Sequence, residues 1–121
     1  MPRDHRLYLD DILEAIDNIH DYTANMNYET FMLDRKTRDA VIRNLEIIGE
    51  AAGRIPEEVR SAAREIEWRK IVGLRNILAH EYFSVSVPVV WDVVQNKLEP
   101  LKAACLSLLQ SVPESSKDRP G

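Results

Sequence analysis

Four residues within one short run could cleave a phosphodiester without a metal ion. They are Arg75, Asn76, His80 and Tyr82, in the segment Arg75-Asn76-Ile77-Leu78-Ala79-His80-Glu81-Tyr82-Phe83. A guanidinium grips phosphate through a rigid fork of donors. An imidazole can move a proton near neutral pH, and a phenol can act as a nucleophile or be modified. Asn76 adds an amide that could hydrogen-bond the imidazole and fix its tautomer.

The spacing limits what one copy of this run can do. Arg75 and His80 are five residues apart, about 140° around a helix of 3.6 residues per turn, so they do not share a face. Asn76 and His80, four apart, do. One copy therefore offers a thin site, and two copies facing each other across a two-fold axis would supply paired arginines and histidines around one cleft. A histidine at a helix C-terminus has its protonated form favoured by the helix dipole, which suits a general acid or a cationic stabiliser of a pentavalent phosphate. Each residue also has a plainer reading. The arginine could pair with Glu46, Glu50 or Glu81, the histidine could cap its helix, and the tyrosine could pack with a wet hydroxyl.

The elements that must hold this run are helical. Leu9, Ile12, Leu13, Ile16 and Ile19 repeat at three-four spacing, opposite Asp10, Asp11, Glu14, Asp17 and Asn18. Residues 25–33 lose that period and read as a connection. Asp34 or Thr37 suits the cap of a second helix with Val41, Leu45, Ile48 and Ala52 on its apolar side and Gly53 at its exit. Pro56-Glu57-Glu58 opens a short third helix, with Val59, Ala62, Ala63 and Ile66 as its apolar face. Trp68 to His80 forms a fourth helix, apolar on so many sides that burial nearly all round is expected. Gly73 within it implies either close approach of another helix or a tolerated glycine. A fifth helix runs from Val87, with Pro88 in its first turn, through Val90, Val94, Leu98, Leu101, Cys105 and Leu108. Pro100 should kink or split it. The expected fold is an all-α bundle of about five helices over residues 1–110, followed by a disordered Pro- and Ser-rich tail over 111–121.

Composition sets the outer bounds. The 121 residues suit one domain, and 45% hydrophobic with 30% charged is ordinary for a globular chain. No apolar run reaches membrane-spanning length, and the acidic N-terminus is unlike a signal peptide, so a cytoplasmic location is expected. A single cysteine, Cys105, excludes an intrachain disulfide and a cysteine-based zinc site. The net charge of −4 argues against broad nucleic-acid binding, yet the charge is uneven. Asp4 through Asp21 is acidic, whereas Arg54, Arg60, Arg64, Arg69 and Lys70 lead into Arg75. A local basic surface is possible there, although solvated helix faces are the plainer reading.

Three segments in order carry a family likeness. Trp68 to Phe83, Ala40-Val41-Ile42-Arg43-Asn44-Leu45-Glu46-Ile47-Ile48-Gly49-Glu50-Ala51-Ala52, and Val90-Trp91-Asp92 closely resemble the HepT-like branch of the HEPN superfamily. The similarity spans roughly residues 4 to 110. The resemblance implies a homodimeric HEPN-type bundle in which Arg75 and His80 of both subunits form a ribonuclease site in the dimer cleft, supported by Asn76. It implies metal-independent attack by the RNA 2′-hydroxyl, with no cofactor. It further implies that the chain is the toxin of a toxin–antitoxin pair, silenced when a minimal nucleotidyltransferase antitoxin adds AMP to Tyr82. Ser84 and Ser86 depart from the Gly and Asp frequent in relatives, which bears on the loop after the motif. Two other classes remain open: a non-catalytic helical partner presenting substrates to a nucleotidyltransferase, and a purely structural dimer.

Overall fold

The computed structural model describes residues 4–80 and 86–111, with backbone alone at 75–80 and 111. Among the described residues the chain is helical, with seven α-helices, one 3-10 turn and no strand. The first helix, α1, spans His5–Thr23. Asp4 sets its start by accepting the Arg6 backbone N–H at 2.9 Å. The Arg6 guanidinium, hydrogen-bonded to the same carboxylate, is the main reason Asp4 is held at about 2, below its ordinary 3.8. Leu9, Ile12, Ile16 and Ile19 are fully buried, as their spacing predicts, while Leu13 is only partly covered.

The connection expected over 25–33 is corrected in its second half. Tyr28–Leu33 is a one-and-a-half-turn helix, α2, started by a capping box in which Asn27 and Thr30 bond each other's backbone. Six residues are too few to show a helical period, so the local signal is the capping pair alone. One fully buried side chain, Phe31, anchors α2 by meeting the Trp91 ring at 4.9 Å between centroids.

α3 spans Arg35–Gly53. Asp34 is its cap: the carboxylate accepts both the backbone N–H (3.0 Å) and the hydroxyl (2.9 Å) of Thr37. Val41, Leu45, Ile48 and Ala52 are buried as expected. Asn44 is buried among them, donating to the Ala40 carbonyl at 2.9 Å and accepting from Asn18 of α1 at 3.3 Å. After Pro56 come α4 (Glu57–Arg60) and the 3-10 turn Ser61–Ala63, then α5 over Trp68–His80. Ser86 caps α6, Val87–Asn96, by accepting the Val89 N–H at 3.4 Å. A break at Lys97 leads to α7, Leu98–Ser111. Pro100 stands in the first turn of α7, where its missing N–H is tolerated, so the expected fifth helix is split rather than bent. Its predicted stripe holds across the break, with Val90, Val94, Leu98, Leu101, Cys105 and Leu108 all buried.

α3 is the central element, packed against α1 on one side and α5 on the other, with α7 lying along α1. Over its described side chains, Trp68 to Leu74, burial of α5 falls short of expectation. Arg69 and Lys70 are exposed, and Ile71, Val72 and Leu74 are half-buried. Among the described residues α3 covers one side of α5. Toward α6 and α7 a groove of about 440 Å³ stays open, lined by Ile71, Leu74, Val93 and Leu101. Gly73 is a tolerated glycine in this chain, since a Cβ there would meet nothing within 4 Å. Beyond Ser111 the expected tail lies outside the described residues. None of the described helices is long and apolar enough to cross a membrane.

Candidate functional site

α5 is fixed at its start and along its middle. The Trp68 indole N–H donates to the Ala63 carbonyl at 3.0 Å, tying the first turn of α5 to the 3-10 turn before it. One turn on, Val72 packs over Gly53 at the end of α3, where a Cβ would lie 3.5 Å from Val72 Cγ1. These contacts set the axis on which Arg75, Asn76 and His80 are carried, in the last two turns of α5. Five residues at 1.5 Å each separate Arg75 from His80 by roughly 7.5 Å along the axis and about 140° around it. Asn76 stands one turn before His80 on the same line. His80 is the last residue of α5 as described, and the C-terminal end of a helix carries a negative field. Tyr82, in the stretch 81–85, lies outside the described residues.

The basic run ahead of the motif is resolved into two groups. Arg54 pairs with Glu50 at 3.4 Å and Lys70 with Glu67 at 3.3 Å, as solvated helix faces do. Arg60, Arg64 and Arg69 line one cleft of about 600 Å³, where α4 and the 3-10 turn fold back against α5, and Arg60 also pairs there with Glu57 at 3.3 Å. Spacing shows that Arg60 and Arg64 follow each other by one turn. It does not show that the break at 64–67 brings Arg69 beside them, because that depends on the Trp68 anchor.

Other chemistry is limited. Among the described residues no group of three or more His, Cys, Asp or Glu side chains is placed to hold a metal ion. Cys105 is fully buried, and burial pushes its thiol up to about 12, so it is no nucleophile at neutral pH.

The family model described as ribonuclease HepT-like matches residues 12–108, from α1 into the last turn of α7. The chain belongs to the ribonuclease HepT-like family. Similar members include a protein of Thermococcus cleftensis named "Probable ribonuclease HepT". It is 45% identical over 102 residues, covering 84% of this chain and 93% of that protein. Two proteins of Methanocaldococcus jannaschii named as candidate RNases are also similar. One is 41% identical over 99 residues (81% of this chain, 82% of the relative). The other is 38% identical over 100 residues (83% and 92%). No solved structure matches the chain. The HepT-like match encloses α5 entire, so the helix end bearing Arg75, Asn76 and His80 lies within the matched residues.

Proposed function

We propose that this HepT-like chain is an endoribonuclease that cuts RNA without a metal ion. The observation that carries the reading is a single helix end: α5 bears Arg75, Asn76 and His80 on its last two turns, inside a family match of residues 12–108. Arg75 grips the scissile phosphate. The RNA 2′-hydroxyl gives its proton to water as its oxygen attacks phosphorus, the bond from phosphorus to the 5′-oxygen breaks, and that oxygen takes a proton. His80 supplies the proton or stabilises the charge of the pentavalent state, with Asn76 orienting its ring. The products are a 2′,3′-cyclic phosphate and a 5′-hydroxyl.

The site is completed by a second copy of the chain. Its support is the angle between Arg75 and His80 on one helix, together with the open apolar groove beside α5. Val89, on the rim of that groove, is 58% exposed. In this reading the chain is a toxin held in check by a nucleotidyltransferase that adds AMP to Tyr82. Bulk and negative charge two residues after His80 would block RNA and neutralise the arginine grip.

Cleavage of a mixed RNA pool in EDTA tests the proposal. Wild type should cut, and Arg75→Ala and His80→Ala should not, while all three remain folded by circular dichroism. A folded dimer that leaves the pool intact, yet binds a nucleotidyltransferase stably, would favour the non-catalytic partner instead. Intact mass after co-expression with a nucleotidyltransferase tests the switch. AMP additions that persist in Tyr82→Phe would remove Tyr82 from the account.

A further inference from the structure

The cleft formed by Arg60, Arg64 and Arg69 lies outside the helix end assigned above, and its chemistry is strongly one-sided. Three guanidiniums line it against one carboxylate, Glu57, in a chain whose net charge is −4. Glu57 stands 3.3 Å from a terminal nitrogen of Arg60 and is itself largely solvent-exposed. It therefore compensates one arginine weakly. The Arg60 Nε is buried and has no hydrogen-bond partner. Arg64 and Arg69 are exposed at the mouth.

The cleft is also aligned with the proposed reaction site. At 100° per residue, the backbone positions of Arg69, Gly73, Asn76 and His80 fall on one line along α5. Arg69 precedes His80 by eleven residues, roughly 16 Å along the axis, a span of a few nucleotides of extended strand. Gly73 lies between them with open space where a Cβ would be, so no side chain rises from that position to interrupt the line. About 600 Å³ is ample for a phosphate with its ribose.

We infer that Arg60, Arg64 and Arg69 form a subsite for the phosphate backbone of single-stranded RNA, holding the strand a few nucleotides from the bond that is cut. The inference rests on the ribonuclease reading of α5. The subsite contacts phosphates and no bases, so it adds affinity without adding sequence preference. The Trp68 ring is buried with its N–H bonded to Ala63, so it packs beneath the arginines and does not stack on a base.

The test compares wild type with Arg64→Gln/Arg69→Gln and with Glu57→Gln. Each is measured for binding to a labelled 12-nucleotide RNA over a salt series and for cleavage of a dinucleotide, which is too short to reach the cleft. Losing two phosphate contacts should weaken 12-mer binding by roughly tenfold and flatten the slope of log K against log salt by about 1.4. Glu57→Gln should tighten 12-mer binding, a gain that damage to the fold would not produce. Dinucleotide cleavage should stay at the wild-type rate in both variants. Wild-type affinity and slope in the double variant would overturn the subsite, as would a matching loss on the dinucleotide. RNA bound with these dependences but never cleaved would sink the nuclease reading and leave the subsite standing. RNA cleaved with no such dependence would do the reverse.

Discussion

Trp68→Phe isolates the bond that fixes the direction of α5. The side chain is 8% exposed, and its indole N–H donates to the Ala63 carbonyl at 3.0 Å in buried surroundings. Phenylalanine keeps a ring in the pocket but removes the donor, and the carbonyl keeps one partner, the Ile66 backbone N–H at 3.2 Å. Loss of the indole hydrogen bond costs about 0.5–1.5 kcal/mol. Loss of part of the ring opens a small void worth about 1 kcal/mol more. A total of about 1.5–2.5 kcal/mol is a large share of the stability of a domain this size. At about 3–5 °C per kcal/mol, the melting temperature should fall by about 5–12 °C. Urea unfolding followed by far-ultraviolet circular dichroism reads this directly, as a lower midpoint at unchanged m-value. Trp91 remains as a fluorescence probe. A loss below about 0.5 kcal/mol, within the usual range for surface changes, would mean that the indole does not tie α5 to the 3-10 turn, and the reasoning fails.

Other perturbations test separate parts of the account. Cys105, buried with its thiol pushed up to about 12, should resist a thiol reagent at pH 8 until urea unfolds the chain; prompt labelling of native protein would contradict its burial. Gly73→Ala should raise stability by up to about 1 kcal/mol, because the new methyl meets no atom within 4 Å and the unfolded chain loses freedom. A fall in melting temperature would show that something packs there. Asp4 is depressed from 3.8 to about 2, so its contribution is present above pH 3.8 and is lost as the pH falls through about 2. Asp4→Asn keeps a capping side chain without the titration, and should lose less stability than wild type between pH 4 and pH 2. Equal losses in both proteins would remove Asp4 from the acid transition.

Much of this arrangement was legible in the chain because its signals are local and repeat. The bounds of the helix from Trp68 to His80, the cap at Asp34 and the stripe from Val90 to Leu108 rest on periods and caps several residues long. α2 was not legible, since one capping pair and one buried Phe31 leave no period to count. The half-open side of α5 over Trp68 to Leu74 was also missed. Apolar residues around a helix say that it wants burial, not whether its own chain provides it. At the site, the positions of Arg75, Asn76 and His80 on one helix end follow from spacing alone. The meeting of Arg60, Arg64 and Arg69 does not, because it depends on how the chain turns between Ala63 and Trp68.

The measurement closest to the central claim is the chemistry of the cut ends. A defined RNA incubated with the wild-type chain in EDTA and analysed by mass spectrometry should yield fragments ending in a 2′,3′-cyclic phosphate, with 5′-hydroxyls on their partners. The same RNA carrying a single 2′-deoxy sugar at the cleaved position should stay whole there. Fragments with 3′-hydroxyl and 5′-phosphate ends, or cleavage at the deoxy position, would contradict attack by the 2′-oxygen and with it the roles given to Arg75 and His80.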